Sequence, residues 1–175
     1  MTIAFAHLGL YATVHAATVA SANWEYVVFA GCLVAISIVD FERFEIPDSM
    51  LLGLVSVGLL RLLFDPIEGI STQVAGASAW SMLFWAVAAT YRRRTGTDGL
   101  GFGDVKLVGA LSLWVGYDSV APIVLAASAA GVFSLLALRF IRTRQGDDLT
   151  TVAALAFGPY LCFSAWVMAC SFGLT

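Results

Sequence analysis

Two aspartates at the ends of apolar runs are the residues of this sequence best suited to chemistry. Asp40 ends one apolar run, and Asp104 lies in a glycine-rich turn at 101–106 (GFGDVK) that opens directly into another. A carboxylate at the mouth of a membrane helix is energetically costly, which favours a functional role for it. If both helix ends lie on the same side of a bilayer, the two side chains form a pair.

Such a pair can hydrolyse a peptide bond by general acid–base catalysis. Two carboxylates a few ångström apart cannot both ionise easily, so they share one proton. The ionised member can take a proton from water while the protonated member polarises the peptide carbonyl. Gly101 and Gly103 suit this role because glycine allows unusual backbone angles and the close approach of a peptide. Taken alone, Asp104 can also be explained as a carboxylate that complements the dipole at the start of a helix. Asp40 fits this explanation less well, because a carboxylate near a helix C-terminus opposes the dipole.

Other chemistries find little support in the sequence. The turn at 101–106 lacks the Walker ending, there is no HExxH, and the two histidines are far in sequence from both aspartates. The three cysteines are isolated in apolar runs without a CxxC pair. We therefore expect neither a metal nor a cofactor. The net charge of −3 is too small to indicate nucleic-acid binding.

The composition indicates a membrane protein. Hydrophobic residues make up 60% of the 175 residues and charged residues 12%, with a mean hydropathy of +0.89; a soluble domain carries roughly twice that charged fraction. The apolar runs predict one all-α domain over 1–175, a polytopic helical bundle of six to seven spans. The candidate spans are approximately 3–20, 24–40, 48–64, 73–91, 104–117, 119–139 and 152–173.

The distribution of basic residues predicts the orientation. Placing the loops after the second, fourth and sixth spans in the cytoplasm puts every lysine and arginine inside except Arg61, as the positive-inside rule requires. The amino terminus is then inside and the carboxyl terminus outside. Asp40 ends an inward-running helix and Asp104 begins an outward-running one, so both reach the cytoplasmic boundary of the membrane.

Three motifs together resemble the type IV prepilin peptidase family. They are Asp40 with the following IPD at 46–48, the GxGDxK turn at 101–106, and an FGP segment within 156–161 (AFGPYL). The resemblance covers about residues 24–173 and leaves 1–20 as an extra N-terminal helix. It identifies the chain as similar to GxGD-type aspartyl membrane proteases, with Asp40 and Asp104 as the catalytic pair.

This resemblance implies an endopeptidase of the inner membrane. It would act in type IV pilus assembly or secretion, removing the basic leader from prepilin or pseudopilin substrates at the cytoplasmic face. The long bacterial forms carry a cytoplasmic insertion with paired cysteines and also N-methylate their product. This chain has neither the insertion nor a CxxC pair, so methyltransferase activity is not expected. The short form is most similar to the peptidases of tight-adherence (Flp) pili and, more distantly, to archaeal preflagellin peptidases.

The remaining candidate residues have structural alternatives. Lys106 can contact a substrate carboxylate, tune the aspartate pair, or simply anchor the helix on the inner side. Pro47 and Asp48 belong to the first motif, and Asp48 joins several acidic loop residues that either attract a basic leader or only solvate the loops. Gly158 and Pro159 either begin the last helix or kink it.

Two other functions remain as alternatives. One is a presenilin-like protease that uses the same GxGD motif but cuts within a transmembrane segment. The other is a proton-coupled transporter or channel with the aspartates as a relay. The sequence does not indicate an oligomeric state.

Overall fold

The computed structural model describes residues 24–64, 69–145 and 155–172, which form six α-helices and no strand. The helices are α1 (Trp24–Arg43), α2 (Asp48–Phe64), α3 (Ile70–Thr95), α4 (Phe102–Val115), α5 (Val120–Gln145) and α6 (Gly158–Phe172). A short 3₁₀ turn, Tyr117–Ser119, precedes α5. These correspond to the second to seventh predicted spans, and the predicted all-α class is confirmed. The predicted helix at 3–20 lies outside the described residues.

Three of these segments are long and apolar enough to cross a bilayer: Trp24–Arg43, Ile70–Thr95 and Tyr117–Ile141. The helices α2, α4 and α6 are shorter, with 17, 14 and 15 residues. At 1.5 Å per residue, α4 reaches only about 20 Å. The total number of spans therefore stays a prediction.

Helix α4 is the centre of the bundle. It packs against α2, α3, α5 and α6, and eleven of its fourteen residues are buried. A helix that is apolar on all sides is stable only when its neighbours cover it. The other close pairs are α1 with α6, α5 with α6, and α1 with α2. From Asp104 onward, most of α4 is thereby buried among other helices.

Side chains from α2 and α3 satisfy the backbone carbonyls at the end of α4. The last carbonyls of a helix have no partner within it, and leaving them unpaired in an apolar setting is costly. Gln73 donates to the carbonyl of Ser112 (3.2 Å), and Arg61 donates to that of Trp114 (3.2 Å). Just beyond α4, the indole of Trp80 donates to the carbonyl of Tyr117 (2.9 Å). These contacts explain how so short a helix ends inside the bundle.

Arg61, the exception to the charge rule, is a buried structural residue. Its guanidinium is 2% exposed and forms an ion pair with Glu25 of α1, with 2.9 Å between Nε and Oε2. The charge is therefore used within the bundle, so Arg61 does not report which side of the membrane α2 ends on.

The last helix begins later than predicted, at Gly158. The carbonyl of Phe157 accepts the N–H groups of Tyr160 (3.1 Å) and Leu161 (3.2 Å), which closes the first turn. Pro159 is the second helical residue, where its missing N–H costs nothing and its fixed φ favours the helix. The glycine and proline thus begin α6 and do not kink it.

Candidate functional site

Asp40 lies in the last turn of α1 and its side chain is almost buried, at 5% exposed. The helix ends just after it because Phe44 has a left-handed backbone conformation, with φ of 55°. The N–H of Phe44 donates to the carbonyl of Asp40 at 2.8 Å, closing a left-handed cap. A bulky residue with positive φ is uncommon and marks a position that the surroundings impose.

Asp104 is the third residue of α4 and is 8% exposed. The carbonyl of Gly101 begins this helix by accepting the N–H groups of Asp104 (3.1 Å) and Val105 (3.4 Å). A side chain at position 101 would place its Cβ 3.1 Å from Oδ2 of Asp104. Glycine at this position therefore leaves room for the carboxylate.

The structure brings Asp40 and Asp104 together although 64 positions separate them in the chain. Asp104 lies near enough to Asp40 for the charge of Asp40 to act on it. A third helix also contributes, since the backbone N–H of Gly158 donates to Oδ2 of Asp40 at 3.1 Å. The site is thus built from the end of α1 and the beginnings of α4 and α6.

Ile46 is a contact residue of this site. It belongs to the IPD motif at 46–48 but was not among the predicted site residues. Its side chain is 9% exposed and fills the space beside two glycines. A Cβ at Gly103 would lie 3.0 Å from Cβ of Ile46, and one at Gly158 would lie 3.3 Å from its Cδ1. An apolar residue within the charged stretch 42–48 (ERFEIPD) is the signal that points to it.

Pro47, Asp48 and Lys106 support the backbone around the pair. The carbonyl of Pro47 accepts the N–H groups of Met50 (3.1 Å) and Leu51 (3.3 Å), which begins α2. Nζ of Lys106 lies 2.6 Å from Oδ1 of Asp48, and the pair joins the first turns of α2 and α4.

Lys106 thus has a partner other than the aspartate pair. Its ammonium also lies 4.7 Å from the ring centre of Phe102, within the range of a cation–π contact. Because Asp48 is 78% exposed, this ion pair contributes little to stability.

Cys162 lies one turn after Gly158 in α6 and is fully buried. Both aspartates act electrostatically on its thiol. In the sequence, Cys162 is an isolated cysteine in an apolar run, and nothing in the local sequence links it to Asp40 or Asp104. Two carboxylates with little solvent around them can carry out general acid–base chemistry, and one of this pair accepts a backbone hydrogen bond.

Comparisons with known proteins identify the family to which most of the chain is similar. Residues 27–136 match the type IV leader peptidase family, a range that includes both aspartates and ends before Gly158. The prepilin leader peptidase/N-methyltransferase of Aeromonas hydrophila is 30% identical over 135 residues, which are 77% of this chain and 45% of that protein. The enzyme of the same name from Pectobacterium carotovorum is 31% identical over 140 residues, covering 80% and 48%.

A third relative with this name, from Neisseria gonorrhoeae, is 29% identical over 151 residues, covering 83% of this chain and 50% of its own. The chain spans about half the length of these relatives. No solved structure gives a significant match. The family match covers well over half of the chain, and the chain therefore belongs to the type IV leader peptidase family.

Proposed function

We propose that this protein is an aspartyl endopeptidase that removes the leader from prepilin-like substrates, with Asp40 and Asp104 as its catalytic pair. The observation that carries the proposal is the convergence of two nearly buried carboxylates from separate helices, 5% and 8% exposed. Membership of the family supports the substrate class. Cleavage without N-methylation is part of the proposal, since the three cysteines are free and isolated along the chain.

Hydrolysis by this pair needs water, a peptide carbonyl and one proton held between the carboxylates. The ionised carboxylate takes a proton from water as the water oxygen attacks the carbonyl carbon. The protonated carboxylate gives its proton to the carbonyl oxygen. Burial strengthens both interactions because little solvent screens the charges.

We place the active site at the cytoplasmic face of the inner membrane. Arg92, Arg93 and Arg94 form the last turn of α3, and the short loop 96–101 joins that turn to the start of α4. Basic residues beside a membrane helix favour the cytoplasmic side. Arg61 no longer opposes this orientation, because it is buried in an ion pair.

The leader is proposed to be basic because exposed carboxylates lie near the pair on the same side. Glu42 and Glu45 follow Asp40 closely and are exposed. Such charges attract a cationic segment and raise its association rate, and salt screens the effect. Cleavage of a basic-leader substrate should therefore slow with added salt more than cleavage of a neutral-leader substrate; equal salt dependence would contradict this part of the proposal.

The test is leader cleavage by the purified protein in lipid nanodiscs. Asp40→Asn and Asp104→Asn should each abolish processing of a prepilin-like substrate, because neither amide can exchange the proton. Asp118→Asn is the matched control, since this exposed aspartate lies beyond the far end of α4 and should leave cleavage unchanged. Processing at the wild-type rate by either of the first two variants would overturn the proposal.

Mapping the product ends separates this function from the presenilin-like alternative. Mass spectrometry should place the cut at the junction between the leader and the apolar helix of the substrate. A cut inside the apolar segment would favour the alternative. Proton-dependent flux through proteoliposomes without any cleavage would instead favour a transporter.

A further inference from the structure

The two aspartates have unequal hydrogen-bonding environments. Oδ2 of Asp40 accepts the N–H of Gly158, the first residue of α6, at 3.1 Å. The first N–H groups of a helix have no partner within it, so the N–H of Gly158 is available to the carboxylate. A carboxylate that accepts such a donor is stabilised in its charged form.

Among the residues that the structure describes, Asp104 has no comparable donor. Its side chain is 8% exposed, and its Oδ1 is buried without a hydrogen-bond partner among the described residues. Although Asp104 lies in the first turn of α4, its carboxylate does not cap that helix, whose N-cap residue is Gly101 and which has no side-chain cap hydrogen bond. A buried anionic oxygen without a donor is costly, whereas a carboxylic acid is neutral and brings its own proton to a bond with a neighbour.

In the described part of the chain, no positive side chain offsets a second negative charge at the pair. Within residues 24–64, 69–145 and 155–172, neither aspartate forms an ion pair. Lys106 is engaged by Asp48, and Cys162 on the α6 side is a buried thiol. The pair is thus expected to carry one negative charge and one proton.

We propose that Asp40 is the ionised member of the resting pair and Asp104 the protonated member. The assignment rests on the proposed function and adds to it a fixed role for each aspartate. Gly158 acts as a positioning residue, because its N–H holds the charged carboxylate of Asp40.

The assignment gives a balanced reaction. Asp40 takes a proton from water, the water oxygen bonds to the peptide carbon, and Asp104 gives its proton to the carbonyl oxygen, forming a neutral gem-diol. Asp40 then passes its new proton to the amide nitrogen and the carbon–nitrogen bond breaks. One gem-diol hydroxyl returns its proton to Asp104, leaving a carboxylic acid, an amine and the original pair.

Infrared spectroscopy of the protein in nanodiscs at neutral pH tests the assignment. The wild type should show the carbonyl-stretching band of a protonated carboxylic acid. Asp104→Asn should remove this band, Asp40→Asn should retain it, and Asp118→Asn should leave the spectrum unchanged. Both variants are compared with the wild type, because replacing one carboxylate also removes the charge that its neighbour experiences.

The opposite pattern would overturn the assignment, as would partial loss of the band in both variants, which would indicate an evenly shared proton. These outcomes differ from a failure of the proposed function. If both variants lack cleavage while the bands are reversed, the catalytic pair stands and the roles are exchanged. If either variant cleaves at the wild-type rate, the pair itself is wrong.

Discussion

Replacing Gly158 with alanine should displace the carboxylate of Asp40. A Cβ built at this position lies 2.6 Å from Oδ2 and 3.0 Å from Cγ of Asp40. The oxygen must move by about 0.8 Å to reach the 3.4 Å at which ordinary van der Waals contact begins. Gly158 does not have a positive φ, so alanine is compatible with the backbone and the side-chain clash is the perturbation.

The displacement should lower kcat/KM strongly and the free energy of unfolding modestly. A misplacement of about 1 Å can cost on the order of 100-fold in rate, so we expect a comparable fall in kcat/KM. The lost hydrogen bond from the Gly158 N–H to a charged carboxylate contributes about 2 kcal/mol to the free energy of unfolding. Single-turnover cleavage of a prepilin-like substrate in nanodiscs, together with the thermal midpoint of the same sample, separates the two effects.

Gly53→Ala is the matched control. Gly53 lies within α2, is exposed, and has no atom within 4 Å of an added Cβ. Alanine there should leave cleavage unchanged and stabilise the helix by up to about 1 kcal/mol. Wild-type cleavage by folded Gly158→Ala would refute the claim that this glycine positions Asp40.

Three further substitutions test the supporting contacts. Arg61→Ala should lower the free energy of unfolding by about 3 kcal/mol, at the lower end of the range for breaking a buried ion pair. Arg93→Ala is the control, because Arg93 is exposed and its loss should change the stability little. Equal thermal midpoints for the two variants would contradict the role assigned to Arg61. Lys106→Gln and Asp48→Asn should each cost under about 1 kcal/mol and retain cleavage, so loss of cleavage in the lysine variant alone would indicate direct contact with substrate. Ile46→Ala should lower the free energy of unfolding by about 2 kcal/mol. It should also slow cleavage, because Ile46 fills the space beside Gly103 and Gly158. An unchanged cleavage rate would show that this packing is not needed.

Much of the fold could be predicted because membrane helices are long apolar runs. The order and approximate limits of α1 to α6 follow from the hydropathy pattern, since each helix must satisfy its backbone internally. The start of α6 was misplaced because hydropathy does not detect a turn. The pairing of Gly158 with Pro159 is the local signal that marks its first residue.

The proximity of Asp40 and Asp104 could be predicted only in part. Charge asymmetry predicts which membrane face a helix end reaches, but not which helices are neighbours within that face. The donation from Gly158 to Asp40 joins residues 118 positions apart, and the Lys106–Asp48 contact spans 58. Such contacts depend on packing in the plane of the membrane, for which the local sequence has no signal.

Arg61 is a second residue whose role could not be predicted from the local sequence. As a sequence feature it is a misplaced positive charge, and its meaning depends on Glu25 and the carbonyl of Trp114, 36 and 53 positions away. The need for it arises from the shortness of α4, whose terminal carbonyls require donors inside the bundle. The length of α4 is readable from the sequence, whereas the identity of its donors is not.

The most direct test of the catalytic pair is a double-substitution experiment on leader cleavage. We predict that Asp40→Asn, Asp104→Asn and the double variant each lower the rate by at least about 1,000-fold and by nearly the same factor, because residues that act as one unit are strongly non-additive. The double variant should be no slower than either single one. Multiplicative losses, or wild-type cleavage by either single variant, would contradict a shared catalytic role for these two aspartates.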